Sequence, residues 1–494
     1  MKLWGLSFGS HDAAISVFED NQLIFASHSE RFSKIKDDGN LHQSMIDHVI
    51  NKFGCPDRVY YYENHWKKRL RYLVSGQRNH LFEPTPRQIL AEYGIKSRLV
   101  STDHHHSHAA AGYYTSGFDD AVVVVVDAIG EMETLTIWEG IGSNLKKIYR
   151  QNYPHSLGLF YSAMTAKAGF KPNGEEYIFM GMAAYGNSKN AIDHLHESLF
   201  VNDDSVIVKL RSNLHQGVGD QINSDIDPND LAAATQELYE ANLQKVLAWA
   251  YENSHSRNLV LMGGCALNCV ANAKMRAWNE WNNIWIMPNP GDAGSSLGAV
   301  LANERMHIKW HGPYLGYEIK GEYPIDGLLS QLKDTGVAAV ASGRAEFGPR
   351  ALGNRSILAD PRIPDIKTKM NWLKKREQFR PFAAVIPEEL VSEFFDMNGA
   401  RSSPYMQYVF KCKDSSKFPG ISHVDDTSRV QTVNPQQHRG LHQLLTRWYK
   451  DTGCPMLVNT SLNIKNQPLV NDEKDAINFK EKYGIPVFGP SICK

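Results

Sequence analysis

The chain opens with three short runs whose apolar and polar residues are spaced as strands, at residues 3–8, 13–18 and 22–27. Turn residues separate them, at 9–12 and 19–21, which predicts a β-meander. A polar stretch follows at 30–40, and 44–53 returns to the apolar period of a helix. Residues 67–86 are basic and aromatic without a clear period and read as irregular. Residues 121–126 form a continuous Val-rich run bounded by Asp119, Asp120 and Asp127, the pattern of a strand covered on both faces, with 134–139 as its hairpin partner. Residues 231–251 make the longest amphipathic helix, and 258–262 and 285–287 are two more buried strands, each entering a Gly-rich turn. Patterning weakens at 307–322, which places a boundary there, and a strand at 337–342 opens an arginine-rich region. Strands alternating with helices on both sides predict α/β architecture throughout, with no short-period repeat or low-complexity tract.

Composition narrows the classes. The 494 residues suffice for two or three domains, and 53 Lys+Arg against 54 Asp+Glu leave a net charge of −1. No overall basic field exists to drive non-specific binding to nucleic acid or membrane. The longest apolar run falls far short of the about 20 residues that span a bilayer, and His11 and Asp12 interrupt any signal-peptide core. Cysteines 55, 265, 269, 412, 454 and 493 are scattered without a CxxC pair, as in a reduced compartment. The expectation is a cytoplasmic protein without membrane association.

The densest chemical signal is Asp103-His104-His105-His106-Ser107-His108, followed by small residues. With Thr102 or Asp103 as cap, His104 and His108 lie one turn apart on one helix face, a spacing that either delivers two imidazoles to a metal or forms a solvated polar helix entry. Asp127 closes a buried strand and Asp292 sits in a Gly-flanked turn, positions that face ligand crevices in α/β sheets, and His11-Asp12 in the first hairpin turn can face the same crevice. The turns at 263–268 and 290–294 are Gly-rich, which suits close approach to a phosphate or ribose or simply a tight strand-to-helix turn. Arg344, Arg350, Arg355, Lys374, Arg376 and Arg380 crowd into a segment that mixes arginines with apolar residues, favouring anion recognition over a solvated basic face, and Arg429 with the 459–463 polar set can complete it. No nucleophile elbow appears, so the chemistry leans to group transfer by positioning and a Lewis-acid metal.

Taken in order, HDAAISV, DHHHSHAAAGYY, VVVVVDAIGE, GGCALNCVAN, NPGDAGSSLGA, GRAEFGPRALGNRSILADPR, KKREQFRPFA and NTSLN resemble the O-carbamoyltransferase family of the NodU/CmcH/TobZ type over nearly the whole chain. The resemblance implies an N-terminal actin/Hsp70-like (ASKHA) duplicated α/β domain at 1–315 and a C-terminal YrdC-like α/β domain at 316–494. It implies that the second domain makes carbamoyl-adenylate from carbamoyl phosphate and ATP, with Mg2+ accompanying ATP, and that the first passes the carbamoyl group to an acceptor hydroxyl. His104, His108 and Asp292 match its metal ligands, with Fe2+ as occupant, while His11, Asp12, His105 and Asp127 line the same site, His11 or His105 taking the acceptor's proton. Gly263, Gly264 and Asn268 match its nucleotide turn. Lys374 and Arg376 match a Lys-x-Arg pair, Ser461 and Asn463 a Ser-x-Asn pair, and Arg344, Arg350, Arg355 and Arg429 would hold phosphates.

Three positions depart from the family's pattern: Ala128 and Asp426 stand where glycine is usual, and Ile178 where lysine is expected. Acceptors implied by the resemblance are antibiotic sugars, oligosaccharides or nucleotides. A modified, hydroxymethylated pyrimidine in DNA is an alternative, with Trp278, Trp281, Trp285 and the basic stretch 67–78 as a stacking and backbone surface. A non-catalytic nucleotide-binding regulator would leave the arginine-rich motifs without a purpose, and a tRNA-directed adenylate synthase would want a basic surface. A symmetric homodimer is the default assembly.

Overall fold

The computed structural model of the protein describes residues 1–201, 203, 205–490 and 492; Cys493 and the side chain of Arg78, the last residue of the basic stretch, lie outside the described residues. The chain divides into two compact units. The first comprises Met1–Ser33, Asp37–Ala271 and Ala277–Trp310.

It contains two five-stranded sheets. In one, β1 (Lys2–Ser7), β2 (Ala14–Glu19) and β3 (Gln22–His28) form the expected antiparallel meander, and β4 (Arg58–Tyr61) and β5 (Arg98–Ser101) extend it in parallel from β1. In the other, β6 (Asp120–Gly130), β7 (Glu133–Ile141) and β8 (Asn144–Asn152) form a second meander, and β9 (Asn258–Met262) and β10 (Asn283–Ile286) extend it in parallel from β6. The orders β3-β2-β1-β4-β5 and β8-β7-β6-β9-β10 are the same strand for strand. The unit is therefore duplicated in structure, although no short period marks it in sequence.

Each half supplies a helix after its fifth strand: His104–Ser116 after β5 and Ser295–Glu304 after β10. These two helices pack backbone to backbone. A Cβ on Gly298 would stand 1.7 Å from the Ser107 carbonyl oxygen, so only glycine permits the contact. Residues 121–126 of β6 are at most 1% exposed, as a Val-rich strand between two covered faces demands.

The stretch read as irregular contains a helix, His65–Val74. Its apolar stripe Trp66, Leu70, Leu73 and Val74 faces outward, while Lys68 and Tyr72 are buried, which inverts the pattern that marks an amphipathic helix. β8 also escaped the pattern, because it is an edge strand with a largely polar sequence. Of the three tryptophans expected to stack a base, Trp281 is buried against Tyr251 and offers no face, while Trp278 and Trp285 are half-buried, Trp285 donating from Nε1 to Thr115 Oγ1 at 3.2 Å.

The second unit comprises Lys34–Lys36, Asn272–Arg276 and the chain from His311 onward. β11 (Tyr314–Ile319) pairs with β13 (Gly343–Glu346), which follows β12 (Val337–Ala341). β12 belongs to an eight-stranded mixed sheet with β14 (Arg355–Ala359), β15 (Ala383–Pro387), β16 (Phe395–Asp396), β17 (Val409–Cys412), β18 (Thr427–Val433), β19 (Leu457–Ser461) and β20 (Val487–Phe488), in the order β16-β17-β18-β15-β19-β14-β12-β20. Asp426, ahead of β18, has φ 62°, a backbone that favours glycine and accounts physically for a glycine at this turn. Ile178 is fully buried in the helix Glu176–Met182. Among the described residues no helix is long and apolar enough to cross a membrane.

Candidate functional site

In the first unit, the start of the His104–Ser116 helix, the end of β6 and the turn after β10 converge. His104 Nε2 and His108 Nε2 are 3.1 Å apart. Asp127 Oδ2 lies 3.3 Å from the first and 3.2 Å from the second; Asp292 Oδ1 lies 3.4 and 3.3 Å from them. Four donors around one cation at bond lengths of about 2.0–2.1 Å would stand about 3.3 Å apart at the edges of a tetrahedron. The donor set thus fits a divalent first-row metal. It also enlarges the expected triad: Asp127, expected only to line the site, meets both imidazoles as closely as Asp292 does.

His108 Nδ1 donates to the Pro290 carbonyl at 3.1 Å, which leaves the Nε2 lone pair for the cluster. Burial opposes a proton on His104 and His108, yet the two carboxylates outweigh it and raise both imidazoles. Burial likewise opposes ionisation of Asp127 and Asp292, but the imidazoles hold both carboxyls well below the usual range. Such a pocket is organised for positive charge, borne by protons or by a metal that displaces them.

The helix is not capped as its sequence suggests. Asp103 makes no cap; it pairs with Lys67 at 2.7 Å, and Thr102 donates to the Ala299 carbonyl. Instead Glu131, in the turn after β6, accepts from the His104 backbone N–H at 3.3 Å and from that of Asn64.

His11 and Asp12 occupy the β1–β2 turn, as expected. His11 Nδ1 is 3.2 Å from Asp12 Oδ2, its Nε2 is 3.9 Å from Asp292 Oδ2, and its side chain is 48% exposed. Desolvation lowers the His11 imidazole, but Asp292 and Asp12 override it and push it up to about 10. His105 lies behind the cluster, fully buried, with Nδ1 2.9 Å from Thr136 Oγ1 and its imidazole held well below the ordinary value by burial and by His104. Ser10, which sequence reasoning missed, donates to Asp292 Oδ2 at 3.3 Å and shares a 2.8 Å hydrogen bond with the buried Tyr62 hydroxyl.

Gly263 and Gly264 adjoin this site. Gly263 has φ 90°, and a Cβ there would meet the Val126 carbonyl at 2.1 Å; Gly264 N–H donates to Asp127 Oδ1 at 3.4 Å. Asn268 is turned inward: it caps the next helix through Ala271 N and exchanges hydrogen bonds with the Gln236 amide.

The second unit gathers the other set. Lys374 Nζ donates to the Ser461 carbonyl, to Ser461 Oγ at 3.1 Å, and to the Asn463 carbonyl and Oδ1 at 3.0 Å each. Ser461 Oγ in turn donates to Asn463 Oδ1 at 2.6 Å. Lys374 is 3% exposed, and burial together with Arg376 and Arg380 lowers its ammonium well below the usual value. Arg376 lies over the Phe382 ring and donates from Nε to Asn371 Oδ1 at 2.6 Å. Arg344 donates to the Leu315 carbonyl at 2.5 Å, and burial lowers its guanidinium. Arg350 and Arg429 are half-buried.

Arg355 departs from its expected role. It is fully buried on β14, and its guanidinium donates to the carbonyls of Ser342, Gly343, Asn354, Tyr317 and Asn471. It ties strands together rather than presenting itself to a phosphate. The loop before it is held by Glu346, whose Oε1 accepts from the N–H groups of Leu352, Asn354 and Arg355, so those amides are occupied as well.

Comparison with known proteins settles the class. The family model described as carbamoyltransferase N-terminus matches residues 57–301, and carbamoyltransferase C-terminus matches residues 329–488. The chain belongs to the carbamoyltransferase family. This carbamoyltransferase is 31% identical to the uncharacterized protein sll1178 of Synechocystis sp., over 96% of its own length and 93% of that protein's. It is 30% identical to the nodulation protein NolNO of Sinorhizobium fredii, over 94% of this chain and 76% of the relative. It is 26% identical to the 3'-hydroxymethylcephem-O-carbamoyltransferase of Amycolatopsis lactamdurans, over 96% and 95% respectively.

Proposed function

We propose that this carbamoyltransferase is ATP-dependent and carbamoylates a hydroxyl group in two steps run by its two units. The observation that carries the reading is the pairing of one buried imidazole–carboxylate cluster, with each imidazole nitrogen 3.1–3.4 Å from the other donors, with a separate cluster around the buried Lys374.

In the second unit, which we read as YrdC-like, carbamoyl phosphate loses phosphate to water. The carbamate oxygen then attacks the α-phosphorus of ATP and pyrophosphate leaves, giving carbamoyl-adenylate. Lys374 and Arg376 offset the charge spread over the phosphate oxygens, joined by Arg344, Arg350 and Arg429. Ser461 and Asn463 surround Lys374 Nζ, and an incoming anion would offset the burial and the neighbouring arginines that disfavour its charge.

In the first unit, read as actin/Hsp70-like on the strength of its repeated sheet order, the acceptor hydroxyl attacks the carbamoyl carbon and AMP leaves. His104, His108, Asp127 and Asp292 would hold a divalent cation, assigned as Fe2+, which when bound supplies Lewis-acid polarisation of a carbonyl. Of the two histidines expected to take the hydroxyl proton, His11 is the one an acceptor can reach, at Nε2, and a cation held at the cluster would offset the Asp292 charge that otherwise keeps it protonated; His105 is sealed behind the cluster. The Gly263–Gly264 turn lets the nucleotide backbone approach Asp127.

The acceptor is a hydroxyl-bearing small molecule, sugar or nucleotide. Incubation with ATP, Mg2+, carbamoyl phosphate and a panel of hydroxylated acceptors tests the reading. AMP release that requires both carbamoyl phosphate and one acceptor supports it; carbamoylation that proceeds without ATP contradicts it.

A further inference from the structure

Behind the metal cluster lies an ion pair that the reaction as written does not use. Glu63 lies two residues beyond the end of β4, Lys68 sits in the first turns of the His65–Val74 helix, and both side chains are nearly inaccessible, at 4% and 7% exposure. Lys68 Nζ donates to Glu63 Oε1 and to the Gly9 carbonyl at 2.8 Å, next to the turn that carries His11. The single Tyr61 hydroxyl proton is shared between the Phe8 carbonyl at 2.8 Å and the same Glu63 oxygen at 3.0 Å. Oε1 is thus saturated and fixed. The other oxygen, Oε2, faces His104 Nδ1 across 3.8 Å.

That nitrogen is buried and makes no hydrogen bond, whereas the corresponding nitrogen of His108 is satisfied by the Pro290 carbonyl. An imidazole that binds metal through one nitrogen donates its other N–H to a carboxylate, carbonyl or water, which fixes the tautomer and raises ligand basicity. For His104 the group in place is Glu63.

We propose that Glu63, held by Lys68 and Tyr61, is a positioning residue for the metal centre: its Oε2 accepts a hydrogen bond from His104 Nδ1–H once the 3.8 Å gap closes on metal binding, and thereby holds Nε2 toward Asp127, His108 and Asp292. The proposal rests on the reading of these four residues as metal ligands. Lys68 serves a second purpose in it. Its bond to Gly9 couples the same carboxylate to the β1–β2 turn, so the ligand His104 and the proton acceptor His11 are held from one buried charge pair.

Co2+ titration of metal-free protein, followed by its visible absorption bands with a chelator in competition, tests this directly. Glu63→Gln should weaken Co2+ binding by about 10–100-fold and shift the bands, while His108→Ala abolishes the site. The double variant Glu63→Met/Lys68→Met removes both charges together, leaves no unpaired ion in the core, and so keeps the fold even where the single change does not. Its Co2+ affinity should fall as far as that of Glu63→Gln. Wild-type affinity in the double variant would overturn the proposal and leave the pair a purely structural one. A wild-type protein that binds no Co2+ would overturn the metal reading itself, and the positioning role with it.

Discussion

His104 Nε2 and His108 Nε2 stand 3.1 Å apart, one helical turn from each other, and each lies within 3.4 Å of both Asp127 and Asp292. Two buried imidazoles facing each other at this distance repel unless carboxylates or a cation lie between them. His104→Ala or His108→Ala should therefore empty the site of metal and reduce carbamoyl transfer by at least about 100-fold, with pyrophosphate release by the other unit retained. Metal content and AMP release, measured on the same preparation, check this.

The second unit should fail in the opposite way. Lys374→Met leaves Ser461 and Asn463 without the amine they surround and, on the proposed reading, removes the group that would face the phosphates. Carbamoyl phosphate-dependent pyrophosphate release should drop by about 100–1000-fold. Metal binding in the first unit should be unchanged. Ser461→Ala removes only one of the oxygens around Lys374 and should cost less.

Gly298→Ala should destabilise the first unit by about 1–3 kcal/mol, because a Cβ would collide with the Ser107 carbonyl on the helix that carries both histidines. Urea unfolding gives the stability. Metal affinity should fall too, since the collision pushes the His104–Ser116 helix away from Asp292.

Glu131 provides a pH signature in metal-free protein. Burial raises its carboxyl from 4.5 to about 7, with Asp103 adding to the rise and the Asn64 N–H, His104 and Lys67 opposing it. The folded state then binds more protons than the unfolded one between these values, so this group's stabilising contribution is complete below 4.5 and is lost as pH rises through 7. Glu131→Gln keeps an acceptor for the Asn64 and His104 N–H groups and removes the titration. The variant should be on the order of 2–3 kcal/mol more stable than wild type at pH 8, relative to their difference at pH 4.5, by urea unfolding at the two pH values.

What the sequence made legible was local. The His104/His108 spacing, the meander of β1–β3 and the Val-rich β6 each follow from neighbours within a few positions. Asp127 and Asp292 were visible as strand-end carboxylates, but nothing nearby in sequence says that Asp127 meets both imidazoles. Glu63 is also a strand-end carboxylate and could have been found by the same rule. Its partner Lys68 lies on a helix whose apolar stripe points outward, which hid the element itself.

Glu131 caps a helix that begins before it in the chain, a relation no capping pattern can show. Arg355 shows the converse. An arginine in a Gly-rich, apolar segment wants oxygen atoms, and the sequence does not say whether a ligand or neighbouring carbonyls supply them. Its place on β14, inside the eight-stranded sheet, gives it the carbonyls.

The division of labour between the two units is tested most directly by mass spectrometry of reactions containing ATP, Mg2+ and carbamoyl phosphate without acceptor, run with wild type, His108→Ala and Lys374→Met. Carbamoyl-adenylate and pyrophosphate should appear with wild type and His108→Ala and be absent with Lys374→Met. Loss of carbamoyl-adenylate in His108→Ala, in a folded protein, would contradict the two-site account.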